Sequence, residues 1–172
     1  LKAKDFYLAG RPDGEGDDLL RNKDKNPNRK GASAAAGGDV KPVAELEGAT
    51  GLQAVIALGG IGAAPKEAKV VALSARTGDL VKQAEVVLPA PSFAQSAGSY
   101  INAKGMRRSF GCAITPEIHE PNAPVPVADM LDRLATAMGL AHRTGDLEEQ
   151  VAKIAAAAAP PAPAAAAETK EG

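Results

Sequence analysis

A glycine turn, an acidic run, two histidines and one cysteine are the residues whose types and spacing could carry chemistry in this chain. The turn, Leu58-Gly59-Gly60-Ile61-Gly62-Ala63-Ala64, follows an apolar run, where backbone N–H groups at a helix start can cradle a phosphate. The third glycine of a dinucleotide-binding fingerprint would fall at Pro65, however, and no acidic residue closes the next apolar run. A tight structural turn is the simpler reading. Asp13, Glu15, Asp17 and Asp18 put four carboxylates within six residues, enough oxygen for a hard cation such as calcium. They lack EF-hand spacing, and Arg11, Arg21 and Lys23 are near enough to pair with them, so loop 13–18 reads as an ion-paired surface loop. His119 and His142 stand 23 residues apart with no His or Cys at ligand spacing, which makes them loop residues rather than a metal pair. Cys112 follows Gly111 with no evident catalytic partner. As the only cysteine it supplies neither an internal disulfide nor the thiolates of an iron–sulfur cluster or zinc finger. The residues alone thus predict no catalytic centre and no metal in this chain.

The elements that would hold such residues are short. The chain has 172 residues, with 20 Lys+Arg against 21 Asp+Glu and a net charge of -1, a balance that argues against nucleic-acid binding by bulk charge. Aromatics make up 3% and tryptophan is absent, so large core side chains are scarce and one modest domain is the most to expect. No apolar run approaches the roughly 20 residues that span a bilayer, and the start of the chain has no signal-peptide core. A soluble, cytoplasmic protein without direct membrane insertion is the expectation. Leu1 is not an initiator methionine, which predicts that the chain begins inside a longer polypeptide.

Residues 4–8 read as a short strand, and 10–40 as an irregular charged excursion lying on a neighbouring surface, because glycines and a proline punctuate its start and Ala32 onward shows no period. Three continuous apolar runs, 53–58, 69–73 and 85–88, predict strands buried on both faces of a parallel sheet. The connections 62–68 and 74–84 leave room for about two or three helical turns each. Pro116, Pro121, Pro124 and Pro126 exclude a helix over 115–126. One-face spacing of Val127, Met130, Leu131, Leu134 and Met138 predicts a helix over 127–138 capped by Gly139. Asp146 and Glu149 read as the capping pair of a second helix turning Leu147, Val151 and Ile154 inward, and the Ala/Pro-rich stretch 159–172 as a disordered tail. The organisation expected is a loop region with one strand over 1–49, a partial α/β domain over 50–158, and the tail.

Two stretches carry a family resemblance. Ala84-Glu-Val-Val-Leu-Pro89-Ala-Pro-Ser-Phe-Ala-Gln-Ser-Ala-Gly98-Ser-Tyr-Ile-Asn102-Ala-Lys-Gly105 resembles the late part of molybdopterin oxidoreductase-type domains, where Ala-Asp-Val-Val-Leu-Pro is followed by Glu, Gly-Thr and Asn-x-Glu-Gly-Arg. Residues 10–18 and 24–31 are similar to a segment of the large iron–sulfur subunit of NADH:quinone oxidoreductase, respiratory complex I, and the Ala-Met-Gly139 ending matches the close of such domains. The similarity covers about residues 5–140. It implies an α/β fold with a short, mostly parallel sheet, long irregular loops and two C-terminal helices. It also implies a parent subunit whose other regions hold the iron–sulfur clusters, neighbours in the peripheral arm, and a cytoplasmic position against the inner membrane.

The departures bear on the cofactor. Gln95 stands for the usual Glu, Ser99 for Thr, and Lys104-Gly105-Met106 where Glu-Gly-Arg is typical, with the basic residues shifted to Arg107 and Arg108. Pro89, Gly98, Asn102 and Gly105 remain, and they read as backbone-shaping residues, Gly and Asn by accepting positive φ. The resemblance with these departures implies a scaffold without molybdopterin. The alternative is the C-terminal part of a molybdopterin-dependent, formate dehydrogenase-like oxidoreductase in which Gly98, Asn102 and Gly105 line the pterin. A third reading, a free-standing α/β binding module, requires the chain to fold cooperatively by itself.

Overall fold

A computed structural model of the chain describes residues 5–17, 19–115, 124–140 and 147–158. In chain order the elements are β1 (Tyr7–Leu8), α1 (Arg29–Ala36), β2 (Lys41–Pro42), a 3-10 turn (Val43–Glu45), β3 (Ala54–Leu58), β4 (Lys69–Ser74), α2 (Asp79–Gln83), β5 (Val86–Pro89), a second 3-10 turn (Phe93–Gln95), β6 (Gly98–Ile101), β7 (Arg107–Phe110), α3 (Val127–Ala137) and α4 (Leu147–Ala158). Among the described residues the chain is mixed α/β, with three short sheets and four helices. β1 and β2 pair parallel, β3-β4-β5 form a parallel sheet in that order, and β6 and β7 form an antiparallel hairpin. No helix among the described residues is long and apolar enough to cross a membrane.

The three apolar runs form the central sheet as expected, within a residue or so of the predicted ends. Side chains alternate faces along a strand. One face of the sheet carries Val55, Ala57, Val70 and Ala72, which pack with Leu46, Ala64 and Leu80, and Tyr7, Val43, Leu52, Val81 and Ala84 close around them. Alanine at 57, 64 and 72 keeps this layer thin, so α2 and the 43–46 turn lie close to the strands. The opposite face differs from the expectation. Leu73 in the middle strand is 1% exposed, but Ile56, Leu58 and Val86 on the flanking strands remain exposed. β4 is covered on both sides, β3 on the side of Val55 and Ala57, and β5 leaves valines exposed on both faces, Val87 beside Ala72 as well as Val86 opposite.

The connections explain why. A right-handed crossover normally carries a helix that covers the sheet. Between β3 and β4 the glycine turn and Pro65 leave no helical segment, and between β4 and β5 the helix is limited to the five residues of α2. The predicted room for helical turns is thus used once and not on both sides.

The expectation of irregular chain over 10–40 holds up to Asn28 and fails from Arg29, where α1 begins. An alanine run needs no apolar period to be helical, since alanine has the highest helix propensity. Gly37 ends it at φ +75°, its N–H bonding the Ala34 carbonyl while the Gly38 N–H reaches Ser33. β2 was not anticipated either. Its Lys41 N–H bonds the Phe6 carbonyl, and its ammonium lies 2.6 Å from Asp5 and 5.6 Å from the Tyr7 ring centroid.

The predicted α3 is present, with Met130 buried and Val127, Leu131 and Leu134 half-buried, though Met138 is exposed. Gly139 closes it at φ +68°, with its N–H on Thr136 and the Leu140 N–H on Ala135. α4 packs along α1, with Ile154 half-buried and a 2.7 Å Lys153–Glu149 ion pair on its surface. Lys4, Pro116, Pro121, Asp146 and the tail 159–172 lie outside the described residues, as do the side chains of Leu147 and Val151.

Replacing Leu73 with alanine removes the best-buried large side chain of β4. Hydrogen exchange on the β4 amides is expected to show their opening free energy reduced by about 2–5 kcal/mol, whereas Leu58→Ala on the open face changes it by less than about 1 kcal/mol.

Candidate functional site

The glycine turn after β3 is occupied by its own chain. Gly59 and Gly62 have φ of +117° and +107°, conformations that favour glycine. Gly60 packs so tightly on Gly78 that a Cβ at 78 would collide with the Gly60 carbonyl. That carbonyl accepts the Leu80 N–H at 3.3 Å, at the start of α2, and the Gln83 side chain accepts the Ala64 N–H at 2.9 Å. No helix starts at this turn before β4, and its Gly60 carbonyl instead bonds the start of α2, in agreement with a structural turn.

The acidic loop is organised differently from the ion-paired loop expected. Asp17 Oδ1 accepts the N–H groups of Leu19, Leu20 and Arg21 at 2.9, 2.6 and 2.8 Å. The bonds from Arg21, Leu20 and Leu19, in that order of weight, hold its carboxyl below the ordinary carboxylate range. Arg21 and Lys23 pair with no described carboxylate; the cation that does is Arg29, 3.3 Å from Asp24 and 4.0 Å from Asp13. Short-range backbone capture outcompetes exposed ion pairs, which are weak. Among the described residues no three acidic, histidine or cysteine side chains gather as a metal site; Asp18, His119 and His142 lie outside them.

The base of this loop is a clamp built on Asn26. Its Oδ1 accepts the Arg11 N–H at 2.6 Å and its Nδ2 donates to the Arg11 carbonyl at 2.8 Å and to Asp24 at 3.0 Å. Partial burial works to raise the Asp24 carboxyl, but the Asn26 backbone and side-chain N–H groups and the Arg29 charge together lower it.

Next to the clamp, Asn28 adopts a left-handed conformation (φ 63°), and its Oδ1 accepts the Ile101 N–H at 2.9 Å, 73 residues further on. Its side chain lies across Gly31 of α1, where a Cβ would collide with it. One side chain thus ties loop, helix and hairpin together. Its signal in the sequence is Asn28 just before a helix with glycine three residues on, a pattern that the reading of the residues did not single out.

Gly98, Asn102 and Gly105 fall in one hairpin, with distinct tasks. Gly98 faces Phe110, whose ring lies 3.1 Å from where a Cβ would sit; its role is steric, not a positive φ. Asn102 does not use positive φ either. It accepts the Lys104 and Met106 N–H groups on Oδ1 at 3.0 and 2.9 Å, and its carbonyl takes the Gly105 N–H. Of the three, only Gly105 turns with positive φ, at +80°. Tyr100 stacks on Phe110 at 5.0 Å, diagonally across the pair.

Between the clamp and the hairpin lies an open cleft of about 400 Å³, lined by Lys25, Asn28, Tyr100, Asn102 and Arg108 among others. Asn102 reaches it, while Gly98 and Gly105 do not line it. Arg108 and Tyr100 were not anticipated there, because the strand β7 that carries Arg108 reads in the sequence as a basic step inside a loop. Cys112 is exposed, with its Sγ 3.0 Å from the Ile114 carbonyl. Neither the cleft nor the cysteine assembles a nucleophile with a base among the described residues. Comparison with protein-family models, with curated proteins and with solved structures gave no match.

Two outcomes test this geometry. In an ordinary helix Gly→Ala stabilises by about 1 kcal/mol; here Gly31→Ala displaces Asn28, so both Gly31→Ala and Asn28→Ala are expected to speed exchange of the Ile101 amide by about tenfold or more while leaving β4 unchanged. For Asp17, the folded carboxyl is depressed, so the loop contacts it makes are present above the unfolded value and lost as pH falls through the folded one. Amide-proton NMR shifts of Leu19, Leu20 and Arg21 should hold from neutrality to about pH 4 and move together below it; Asp17→Ala should abolish the step.

Proposed function

We propose that the chain is the C-terminal structural segment of the large iron–sulfur subunit of an NADH:quinone oxidoreductase, supporting electron transfer from NADH to quinone without carrying a redox centre itself. The observation that carries the reading is the resemblance of residues 84–105, together with what its surviving residues do: Gly98 makes room for Phe110, and Asn102 and Gly105 form the hairpin turn. A motif kept for backbone shape fits a domain that has stayed as scaffold. The open apolar face of β3 and β5 supports the same reading, because a parallel sheet is ordinarily covered on both faces and here the second cover would be the rest of the parent subunit. The iron–sulfur clusters belong to other regions of that subunit, and its partners are the remaining peripheral-arm subunits.

The test is the composition of the native assembly that contains this chain. Iron, acid-labile sulfide and NADH-dependent quinone reduction are the expected findings, with no molybdenum, tungsten or pterin fluorescence. An assembly without clusters or NADH-linked electron transfer contradicts the reading, and molybdenum with pterin selects the molybdopterin-dependent alternative. A variant separates the two further. Gly105→Ala at positive φ costs about 1–2 kcal/mol and should lower the amount of assembled enzyme severalfold while leaving turnover per assembled complex unchanged; a pterin-lining role would lower turnover itself.

A further inference from the structure

The cleft between the Asn26 clamp and the β6–β7 hairpin is rich in donors whose own acceptors are already spent. Two asparagines show this. A backbone N–H has a proton to give and no lone pair, so the side-chain amide atom that faces it must be oxygen. Asn28 Oδ1 takes the Ile101 N–H at 2.9 Å, and Asn102 Oδ1 takes those of Lys104 and Met106 at 3.0 and 2.9 Å. Each amide therefore keeps an NH2 group to give, and neither NH2 group bonds a described residue. Both side chains line the cleft, together with Arg108, which is exposed and makes no ion pair with a described residue. Lys25 adds a second positive charge, anchored by the Glu15 and Asn22 carbonyls. The one acid in the lining, Asp24, is taken up by the Asn26 backbone and side-chain N–H groups and by Arg29.

That balance selects the chemistry of a ligand. Two cations and two amide donors face the space, and the only carboxylate is neutralised from the side, so a cation would be repelled and a neutral molecule would leave Arg108 unmatched. The volume of about 400 Å³ falls in the range of small-molecule sites. We propose that this cleft binds a small oxyanion, the phosphate or carboxylate group of a small molecule, held by Arg108 as the charged fork and by the NH2 groups of Asn28 and Asn102. A guanidinium meets two oxygens of such a group at once, and the two amides fix its orientation. Tyr100, backed by Phe110 at 5.0 Å, supplies an apolar wall. The bonds that hold loop and hairpin together also hold the amides in place before a ligand arrives, which lowers the ordering cost of binding. Gly98 and Gly105 take no part, so the site differs from the pterin lining of the alternative reading. This inference stands apart from the proposed function, since it concerns the cleft in whichever assembly holds the chain.

The experiment uses the native assembly purified from cells making the full-length protein. Phenylglyoxal, which attacks free guanidinium groups, is applied with and without inorganic phosphate or succinate, and modification of Arg108 and Arg21 is followed by peptide mass spectrometry. Arg21 is the internal reference, being exposed and paired with no described carboxylate. Saturating phosphate or succinate is expected to slow modification of Arg108 about tenfold and to leave Arg21 unchanged; the probe that acts at the lower concentration assigns the oxyanion as phosphate or carboxylate. Asn28→Asp and Asn102→Asp each keep an oxygen for the backbone N–H groups and exchange the NH2 donor for an anionic oxygen. Protection of Arg108 is expected to be lost in both, with exchange of the Ile101 amide unchanged as the check on folding. Equal protection by chloride at matched ionic strength, equal protection of Arg21, or protection retained in both variants overturns the proposal. So does an Arg108 that is unreactive without any probe, which would place it against a partner. Iron and sulfide content of the same preparation reports separately on the proposed function.

Discussion

Everything in the central part of this chain depends on how a three-stranded parallel sheet is covered. Parallel strands have no polar face to offer water, so each side needs a layer. Here one layer, built from α2, the 43–46 turn and the glycine turn after β3, is thin because alanine occupies positions 57, 64 and 72, and on the other face Leu73 of β4 is buried. The Gly60–Gly78 approach lets the turn after β3 lie directly on the start of α2. The other side of β3 and β5 has Ile56, Leu58 and Val86 exposed.

The second constraint is Asn28. By accepting the buried Ile101 N–H it satisfies a backbone donor that the hairpin's own ladder leaves unpaired, and it requires glycine at position 31 to lie where it does. The clamp of Asn26 and Arg11 and the Arg29–Asp24 contact then set the start of α1 and the base of the projecting loop. Order in the N-terminal loop is therefore carried by polar side chains bonding backbone, while order in the sheet is carried by apolar contact.

The parts of the fold that were legible in the sequence are those whose side chains had to be apolar. β3, β4 and β5 announce themselves as apolar runs, and α3 by its one-face spacing and Gly139. Coverage of the sheet was not legible, because a run of valines looks the same whether its second face is buried by this chain or left open. α1 was hidden because alanine leaves no period, and β2 because Lys41-Pro42 has no strand character of its own. The hairpin was hidden by Gly98 and Arg107-Arg108, although Asn102 and Gly105 stand at the spacing of its turn. At the candidate site the three residues singled out do share one element, but two of them act through packing or a side-chain bond instead of positive φ. Asn28, whose contact spans 73 residues, could not be read from local pattern.

The account rests on the sheet being completed by a body other than this chain, and calorimetry of the isolated chain tests that most directly. A broad transition is predicted, with an enthalpy well below the roughly 0.7 kcal/mol per residue of packed domains. A single sharp two-state transition of full enthalpy would contradict it, because the sheet would then be sufficient with one face open.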